Sequence, residues 1–541
     1  MLRTGFQNSQ IRRKFSQSAR TTANMKNFVR FLALLLVLIT CVTMIVACDK
    51  TGNEGGNEGG DDEGLLDDQY DVNGRWKDDL PKTLNFEGEK VKVLYWQDVE
   101  KPEFEVETIS GDNVMDAIYN RNTQIESRLN VDLQWYGQNG GQERVKFVKH
   151  VEAQYNTGTQ MYDLIAAHIR TEGTLAVQGY LYNLATITED NYLNLKQPWW
   201  PAQLVETVNF GGAYYFVSGD MSTNVLNQME MIYFNKKLYN RHNIKDTDIY
   251  QLVYDDKWTL DKLIELTANC YEDIDNTPGA SPNDRYGFVS MQQIIDSFYP
   301  GSNLRLVEED DNSMLKISSD FGSAKTVKLI NKLGQWAATD DVRIHNSFVE
   351  DTATREDIRQ AFKTGRAYMI MNRAQAGQSY AKLDAVDIGL CPVPKYDEAQ
   401  VNYYTGMGDN WSLYGIFVDF DERGDKELTL SMLSAVMECW ASEGYRLTTP
   451  EIFEVNMQLK YSNGQDETNM FEYIRSGITF DLGNIFAVDL GNINELPSNA
   501  ICQNASWSSS YASYKNALNA RCEQIVKNFK QYQDERDDLA A

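Results

Sequence analysis

A strand–helix–strand pattern between residues 91 and 135 determines the fold class that this sequence can adopt. Residues 91–96 (Val-Lys-Val-Leu-Tyr-Trp) are rich in β-branched and aromatic side chains, which predicts a buried strand. Residues 114–129 carry apolar side chains at helical intervals, and Asp112 stands where it can cap the first turn. Residues 131–135 alternate apolar and polar side chains, as a second strand does. This order of elements indicates an α/β fold.

The same alternation of strands and helices continues along the chain. Apolar runs predict strands, and apolar residues at helical spacing predict helices. The predicted strands are residues 162–167, 231–234 and 367–371, and the predicted helices are residues 260–270 after the cap Thr259, 358–362 before Gly365, 428–440 and 514–529. No fixed repeat period is present, and a chain of 541 residues corresponds to roughly two to four packing units.

The N-terminal region has the charge and hydropathy pattern of an export signal. The first 47 residues contain seven Lys or Arg and no Asp or Glu, and residues 31–46 form an uncharged run. As a helix this run would be about 24 Å long, which is shorter than the ~30 Å hydrocarbon core and typical of a signal peptide. Residues 45–48 (Ile-Val-Ala-Cys) resemble a bacterial lipobox, so we expect residues 1–47 to be removed and Cys48 to be diacylated. The alternative for Cys48 is an ordinary cysteine at the end of a membrane anchor. Translation could also start at Met25, because residues 25–30 would begin a normal signal peptide.

Residues 48–84 are predicted to form a flexible tether between the lipidated cysteine and the folded part. Within them, residues 49–64 contain Asn-Glu-Gly-Gly twice and no apolar side chain that could be buried. We therefore expect the folded part to begin near residue 85.

Composition excludes several classes of protein. The hydrophobic content of 42% argues against an intrinsically disordered chain. The presence of a single long apolar run argues against a polytopic membrane protein. The pI of 4.6 argues against a nucleic-acid-binding protein. The formal net charge of −27 becomes −34 without residues 1–47, because 44 basic and 78 acidic residues then remain. After Cys48 the cysteines are odd in number and lack CxxC spacing, so we expect free and mostly buried thiols at Cys270, Cys391, Cys439, Cys502 and Cys522.

A series of short phrases, taken in order, resembles the family 1 extracellular solute-binding lipoproteins of bacterial ABC importers. These proteins are relatives of maltose-binding protein, and the last phrase is similar to the form in Gram-positive members. The phrases are Tyr-Asp-Leu-Ile (162–165), Lys-Gln-Pro-Trp-Trp (196–200), Tyr-Phe-Asn-Lys-Lys-Leu-Tyr (233–239), Lys-Trp-Thr-Leu-Asp-Lys-Leu (257–263), Ala-Phe-Lys-Thr-Gly-Arg-Ala (361–367), Pro-Val-Pro-Lys-Tyr-Asp (392–397) and Thr-Phe-Asp-Leu-Gly (479–483).

The resemblance implies a two-lobe α/β fold of the periplasmic-binding-protein-like type II. In such a fold the two lobes close around a ligand by hinge motion. Lobe one is expected to comprise residues 85–222 and 394–446, lobe two residues 223–393 and 447–541, and the chain is expected to cross between them near Gly219, Val393 and Tyr445.

The resemblance also implies which residues face the ligand. A sugar presents flat apolar faces and a rim of hydroxyls, so its site needs aromatic rings and planar polar groups. The expected ligand-binding residues are Trp96, Gln97, His168, Arg170, Asp220, Gln228, Phe298, Tyr299, Asn372, Arg373, Gln375, Trp411 and Trp507.

Several of these residues have an equally simple alternative interpretation. Packing roles are the alternative for the tryptophans and for Phe298 and Tyr299, and a surface loop is the alternative for His168 and Arg170. Gln375 stands where the family often carries a stacking Trp, a ring that Trp411 could replace. Trp199 and Trp200 are interpreted as packing residues.

The sequence contains no complete catalytic motif. His150, His168, His242 and His345 are its only histidines, and HExxH, GxxxxGK[ST] and GxSxG are all absent. Residues 313–316 and 379–382 match SxxK and residues 363–365 match KTG, but no SxN lies between 313 and 363. We therefore predict a non-enzyme without metal, cofactor or nucleic-acid partner.

The predicted function is capture of an extracellular solute for an ABC transporter. By resemblance, the solute is an oligosaccharide, and a monomer anchored to the outside of the cell membrane by lipid delivers it to the permease subunits. A peptide-binding importer component, a secreted lipid-anchored glycoside hydrolase and a carbohydrate adhesin are the alternatives.

Overall fold

The structure is a computed structural model that describes residues 69–98, 103–159, 161–187, 190–241, 244–310, 314–346, 354–381, 383–418, 425–453 and 464–540. The predicted signal peptide, Cys48 and the rest of residues 48–68 lie outside the described residues. Residues 69–84 were also predicted to belong to the tether, but Leu80 is buried in the core and Asp78 is buried and pairs with Arg128. The folded part therefore begins before residue 85. Within the described ranges, every helix is too short or too polar to cross a membrane.

The strands coincide with the apolar and alternating runs of the sequence. They are β1 (Glu89–Trp96), β2 (Val131–Gln138), β3 (Leu164–His168), β4 (Glu230–Asn235), β5 (Tyr286–Met291), β6 (Val307–Glu309), β7 (Leu315–Ile317), β8 (Val342–His345), β9 (Ala367–Arg373), β10 (Ile388–Cys391) and β11 (Ser412–Ile416).

Helices fill most of the connections between these strands. The α-helices are α1 (Asn113–Leu129), α2 (Arg144–Thr157), α3 (Ile169–Val177), α4 (Ala202–Thr207), α5 (Lys236–Arg241), α6 (Asp246–Tyr254), α7 (Leu260–Thr267), α8 (Gln292–Ile295), α9 (Phe298–Gly301), α10 (Ala324–Ala337), α11 (Arg355–Lys363), α12 (Gly377–Tyr380), α13 (Lys426–Glu443), α14 (Gln465–Ser476), α15 (Leu482–Ile485), α16 (Leu496–Cys502) and α17 (Trp507–Ala540). Short 3₁₀ turns cover Leu184–Thr186, Leu226–Gln228, Ser319–Gly322, Ala374–Ala376 and Ile493–Glu495, and a π-helical turn covers Gly444–Thr448.

The first sheet has the strand order β11-β3-β1-β2. Its strand β1 pairs in parallel with both β2 and β3, while β11 runs antiparallel to β3. All residues of β3 and β11 are buried, as expected for strands that are covered on both faces. The predicted cap of α1 is confirmed, because Asp112 accepts a hydrogen bond from the backbone nitrogen of Met115.

The second sheet has the strand order β10-β4-β9-β5-β8. Its strand β5 is parallel to β8 and β9, whereas β4 is antiparallel to β9 and β10. Every residue of β4 and β5 is buried. The two sheets form the cores of two α/β lobes.

Two segments of the chain cross between the sheets side by side. Val217 forms an antiparallel bridge with Tyr414, and Met229 forms one with Met407. The π-helical turn packs against the same region, because a Cβ atom added at Gly444 would lie 2.1 Å from the Asp220 carbonyl oxygen. The exact lobe boundaries remain a prediction.

The C-terminal helix α17 contacts both lobes. Near its start, the Trp507 indole nitrogen donates to the Phe321 carbonyl oxygen, and Cys522 packs beside Leu315. Further along, the Phe529 ring stacks on Phe210 with centroids 4.7 Å apart. Residues that were assigned to lobe two from the sequence therefore also pack on lobe one.

All five cysteines of the described residues are free thiols, as expected. Cys391, Cys439 and Cys522 are buried, and Cys270 and Cys502 are partly buried. Trp199 and Trp200 are buried as well, and both indole nitrogens donate to the Glu438 carboxylate, so the prediction that they pack is confirmed.

Candidate ligand-binding site

A cavity lies where the carboxyl ends of strands from both lobes approach each other. Arg170 follows β3 of lobe one, Asp296 follows β5 of lobe two, and Arg373 ends β9. Strand β4 begins at Glu230, directly opposite Arg373 in the sheet register. Carboxyl ends of strands are the usual place for ligands in open α/β sheets. The sequence therefore brings charged groups from separate segments to one point.

The cavity has a volume of about 80 Å³. Pockets that hold drug-sized ligands measure roughly 300–1,000 Å³. In this conformation the cavity is thus too small for an oligosaccharide, and the lobes have to separate to admit one. Besides the residues already named, its lining includes Ser297, Tyr299, Asp409, Asp481, Asn494 and Glu495.

Asp409 connects the arginines of the two lobes. Its Oδ2 lies 3.1 Å from Nε of Arg170, and its Oδ1 lies 3.5 Å from Nη2 of Arg373. Burial alone would raise the pKa of Asp409, but Arg170 and then His168 and Arg373 hold that pKa well below its usual range. The carboxylate is therefore ionised and shared between the lobes.

Arg170 is held by a second carboxylate, because its Nη1 lies 3.2 Å from Oε1 of Glu495. Beneath it, His168 is buried and its Nδ1 accepts a hydrogen bond from the Arg170 backbone nitrogen at 3.2 Å. Burial lowers the pKa of His168 to about 4, so its imidazole is neutral at physiological pH.

Four buried oxygen atoms at the cavity make no hydrogen bond within the described structure. They are Oε1 of Glu230, Oδ1 of Asp296, Oγ of Ser297 and Oδ1 of Asn494. Leaving a buried polar atom unpaired costs about 1–3 kcal/mol, so such atoms in a cavity indicate a ligand or ordered water. Burial raises the pKa of Glu230 to about 8 and that of Asp296 to about 7.

Three of the sequence-predicted ligand residues, Arg170, Tyr299 and Arg373, line this cavity. Tyr299 is the single aromatic residue among the lining residues of the described structure. Its hydroxyl lies 3.4 Å from the Arg305 carbonyl oxygen, inside lobe two.

The three predicted tryptophans lie outside the cavity lining and are buried. Each indole nitrogen donates to a protein atom at 2.9 Å: Trp96 to the Ser412 hydroxyl, Trp411 to the Gly408 carbonyl and Trp507 to the Phe321 carbonyl. The Trp96 ring also meets His168 edge-on, with centroids 5.1 Å apart. In this conformation these rings pack inside the lobes.

The remaining predicted residues also lie outside the lining. Phe298 packs on Trp336 and Phe288, and the Asn372 amide donates to the Tyr380 hydroxyl. Asp220 accepts from Thr449 where the crossing segments meet. Gln97 is bonded to Asn139 at an exposed edge, Gln375 is partly buried in a 3₁₀ turn, and Gln228 is buried beside Gly408.

The predicted ligand residues include none of the five acidic residues that line the cavity. Glu230 stands immediately before the apolar run 231–234, and a carboxylate at the end of a fully buried strand was the available signal. Asp409 lies two residues before Trp411, so the segment was selected for its ring and not for its charge. No feature of the sequence around Glu495 indicates that this residue lines the cavity.

A cluster of three acids lies apart from this cavity, in the loop before β5. Ligand oxygens of Asp273, Asp275 and Asp284 all lie within 4.8 Å of one another. Hydrogen bonds from Thr277, then Ser281 and Asn283, lower the pKa of Asp275 to about 2. Asp284 accepts hydrogen bonds from Ile274 and Ser281. These carboxylates thus stabilise the loop.

The fold is similar to those of two solved structures. M. tuberculosis UspC matches with a TM-score of 0.50 and 14% sequence identity, over 80% of this chain and 100% of UspC. The GacH receptor of Streptomyces glaucescens, solved unliganded and in complex with acarbose, matches with a TM-score of 0.50 and 13% identity, over 81% of this chain and 99% of GacH. No protein-family model matches the sequence, and a search of curated proteins gave no match. The chain therefore has the two-lobe, periplasmic-binding-protein-like fold that was expected from its sequence.

Proposed function

We propose that this protein captures an extracellular sugar and delivers it to an ABC importer by closing its two lobes. The observation that carries the proposal is the cavity, where residues of both lobes meet and buried oxygens lack partners. The GacH receptor, which shares the fold, has been solved with acarbose. Hinge closure around a ligand is the usual motion of two-lobe binding proteins.

The chemistry of the cavity suits a polyhydroxylated ligand. Sugar hydroxyls donate hydrogen bonds, and the unpaired oxygens of Glu230, Ser297 and Asn494 can accept them. Arg170 and Arg373 have planar donors for the ligand oxygens, and Tyr299 is the aromatic residue of the lining. We propose these residues as ligand contacts, with Gln97 at the exposed edge contacting longer ligands.

The proposed setting of the protein follows from its N-terminal sequence. Diacylation of Cys48 would provide two chains, which is the minimum for stable anchoring. A monomer held on the outer face of the membrane would then transfer its ligand to two permease subunits. Replacement of Cys48 by Ala should release the protein into the medium and abolish palmitate incorporation in the producing cell.

Binding can be tested by calorimetry and thermal shift with a panel of oligosaccharides, polyols and short peptides. A ligand at 100 times its Kd stabilises the folded state by about 2.7 kcal/mol. The variants Arg170→Ala and Arg373→Ala should lose binding, whereas Arg359→Ala on the exposed surface of α11 should retain it. Stabilisation by peptides alone would contradict the sugar assignment, and hydrolysis of the sugar would favour a glycoside hydrolase.

A further inference from the structure

We propose that the captured solute carries a protonated amine, which is received by the carboxylates of Glu230 and Asp296. This inference rests on the proposed function, because it specifies the class of sugar or polyol that the same cavity takes. It predicts an amino sugar or an aminopolyol as the preferred ligand.

The first argument is the charge of the cavity. Its lining contains the carboxylates of Glu230, Asp296, Asp409, Asp481 and Glu495 but only two cationic side chains, Arg170 and Arg373. A fully ionised lining would carry three negative charges in excess. Buried like charges are unfavourable unless a counter-charge is present.

The second argument is that the two arginines are already paired. Arg170 lies 3.1 Å from Asp409 and 3.2 Å from Glu495. Arg373 lies 3.5 Å from Asp409, and its Nε is 3.7 Å from Oε1 of Glu230, which is beyond hydrogen-bond distance. Neither arginine therefore neutralises Glu230 completely.

The third argument is geometric. Oε1 of Glu230 and Oδ1 of Asp296 are both buried, both without a hydrogen bond, and both at the same cavity. The neighbouring hydroxyl of Ser297 interacts with Glu230 and lowers the pKa of that carboxyl. An ammonium group has three donors and no acceptor. It can therefore donate to more than one carboxylate oxygen, which a single hydroxyl cannot do.

The pKa values of Glu230 and Asp296 also favour a cationic ligand. Burial raises the pKa of both carboxyls. Arg373 and the Ser297 hydroxyl lower the pKa of Glu230, whereas Asp296 and Asp409 raise it. Ser498 and Arg170 lower the pKa of Asp296, whereas Glu495 and Asp409 raise it. An arriving ammonium group favours the ionised carboxylates. Binding of a protonated amine should thus release protons from the pair.

Three β-1,4-linked disaccharides provide a matched test, because they share the glucose skeleton and differ at C2. The disaccharide of glucosamine carries amines, cellobiose carries hydroxyls, and diacetylchitobiose carries neutral amides. The measurement is made at about pH 6, where both carboxyls retain protons in the free protein. The amine disaccharide should bind at least about tenfold more tightly than cellobiose, because a charge-assisted hydrogen bond replaces a neutral one. Equal or weaker binding of the amine form would overturn the inference.

Substitutions of Glu230 and Asp296 test whether these two carboxylates cause the preference for amines. Glu230→Gln and Asp296→Asn should each weaken binding of the amine disaccharide at least about tenfold more than binding of cellobiose, so that most of the amine preference is lost. Glu265→Gln, on the exposed face of α7, is the matched control. Amine preference that persists in both site variants would overturn the inference.

Proton release offers a readout in the unmodified protein, which is needed if a variant fails to fold. The binding enthalpy of the amine disaccharide should depend on the ionisation enthalpy of the buffer and show net proton release, and that of cellobiose should not. Absence of release would overturn the inference. If none of the three disaccharides and no sugar of the wider panel binds, the proposed function is wrong. If neutral sugars bind and the amine disaccharide binds no more tightly than they do, only this inference is wrong.

Discussion

The carboxylate of Asp409 lies 3.1 Å from Nε of Arg170 in lobe one, and its second oxygen faces Arg373 of lobe two. One ionised side chain thereby connects both lobes at the cavity. Its side chain is 26% exposed, whereas the two arginine side chains are only 11% and 12% exposed. Loss of this anion would leave Arg170 with Glu495 as its remaining partner and Arg373 with only the more distant Glu230.

We expect Asp409→Asn to destabilise the fold by roughly 2–4 kcal/mol, because removal of one partner leaves buried charges uncompensated. The pKa of Asp409 is depressed, so its stabilising contribution is present above the unfolded pKa and declines as the pH falls through the folded pKa. Urea unfolding at neutral and acidic pH should show that the variant differs less from the parent in acid. Asp261→Asn, which removes an exposed pair with Lys332, should cost less than about 1 kcal/mol. Equal effects of both variants would contradict this prediction.

His168 should remain neutral over the physiological pH range. Its folded pKa of about 4 lies below the ordinary value of 6.5, so the unfolded chain binds more protons between these values. Stability contributed by the neutral imidazole is therefore complete above about pH 6.5 and decreases by up to ~1.4 kcal/mol per pH unit as the pH falls towards 4. His168→Asn keeps a side-chain acceptor for the helix cap and should lack this slope in acid unfolding experiments. NMR titration of the ring near pH 6.5 would contradict the prediction.

Glu172 should destabilise the protein at neutral pH. It lies on α3 with both carboxylate oxygens buried and without a hydrogen bond, and burial raises its pKa well above the ordinary value. Because the unfolded form ionises first, stability falls as the pH rises from the unfolded pKa towards the folded one. Glu172→Met should therefore stabilise the fold by about 1–3 kcal/mol at neutral pH, and by less near pH 4.5.

Unfolding by urea at both pH values checks this prediction, with Glu265→Met on the exposed part of α7 as the control. The control substitution should change stability by less than about 0.5 kcal/mol. A Glu172→Met variant that is less stable than the parent at neutral pH would indicate that the carboxyl has a compensating partner.

Gly444 should tolerate no side chain. Its φ of −57° is ordinary for any residue, but an added Cβ would lie 2.1 Å from the Asp220 carbonyl oxygen. We expect Gly444→Ala to cost about 1–3 kcal/mol by overpacking and to change ligand affinity, because the crossing segments would separate. Gly158→Asn is the control, since that glycine has open space around it and a left-handed φ of 58° that Asn accepts. Unchanged unfolding of Gly444→Ala would contradict the prediction.

Much of the local structure was predictable because it depends on neighbouring residues. The run 231–234 became β4 and the spacing of residues 114–129 became α1. The helix after Thr259 ends at Thr267, three residues earlier than predicted. The backbone nitrogens of Asn269, Cys270 and Tyr271 donate to Asp341 instead of continuing the helix. A contact across 70 residues of sequence cannot be read from local spacing.

The site was predictable only in part, for a similar reason. Arg170 and Arg373 were found because each follows or ends a strand, and strand ends converge in this fold. The position of Glu230 opposite Arg373 depends on the register of two antiparallel strands separated by more than 130 residues. The tryptophans satisfied the composition expected of a sugar site, but their indole nitrogens are bonded inside the lobes.

Helix α17 is anchored in both lobes by aromatic residues. Trp507 is fixed in lobe two, whereas Phe529 is stacked between Phe210 and Tyr215 of lobe one. Any separation of the lobes therefore has to preserve or break the contacts that this one helix makes with each of them. A change at the C-terminal end of the chain can thus alter how readily the lobes separate, although it lies far in sequence from the cavity residues.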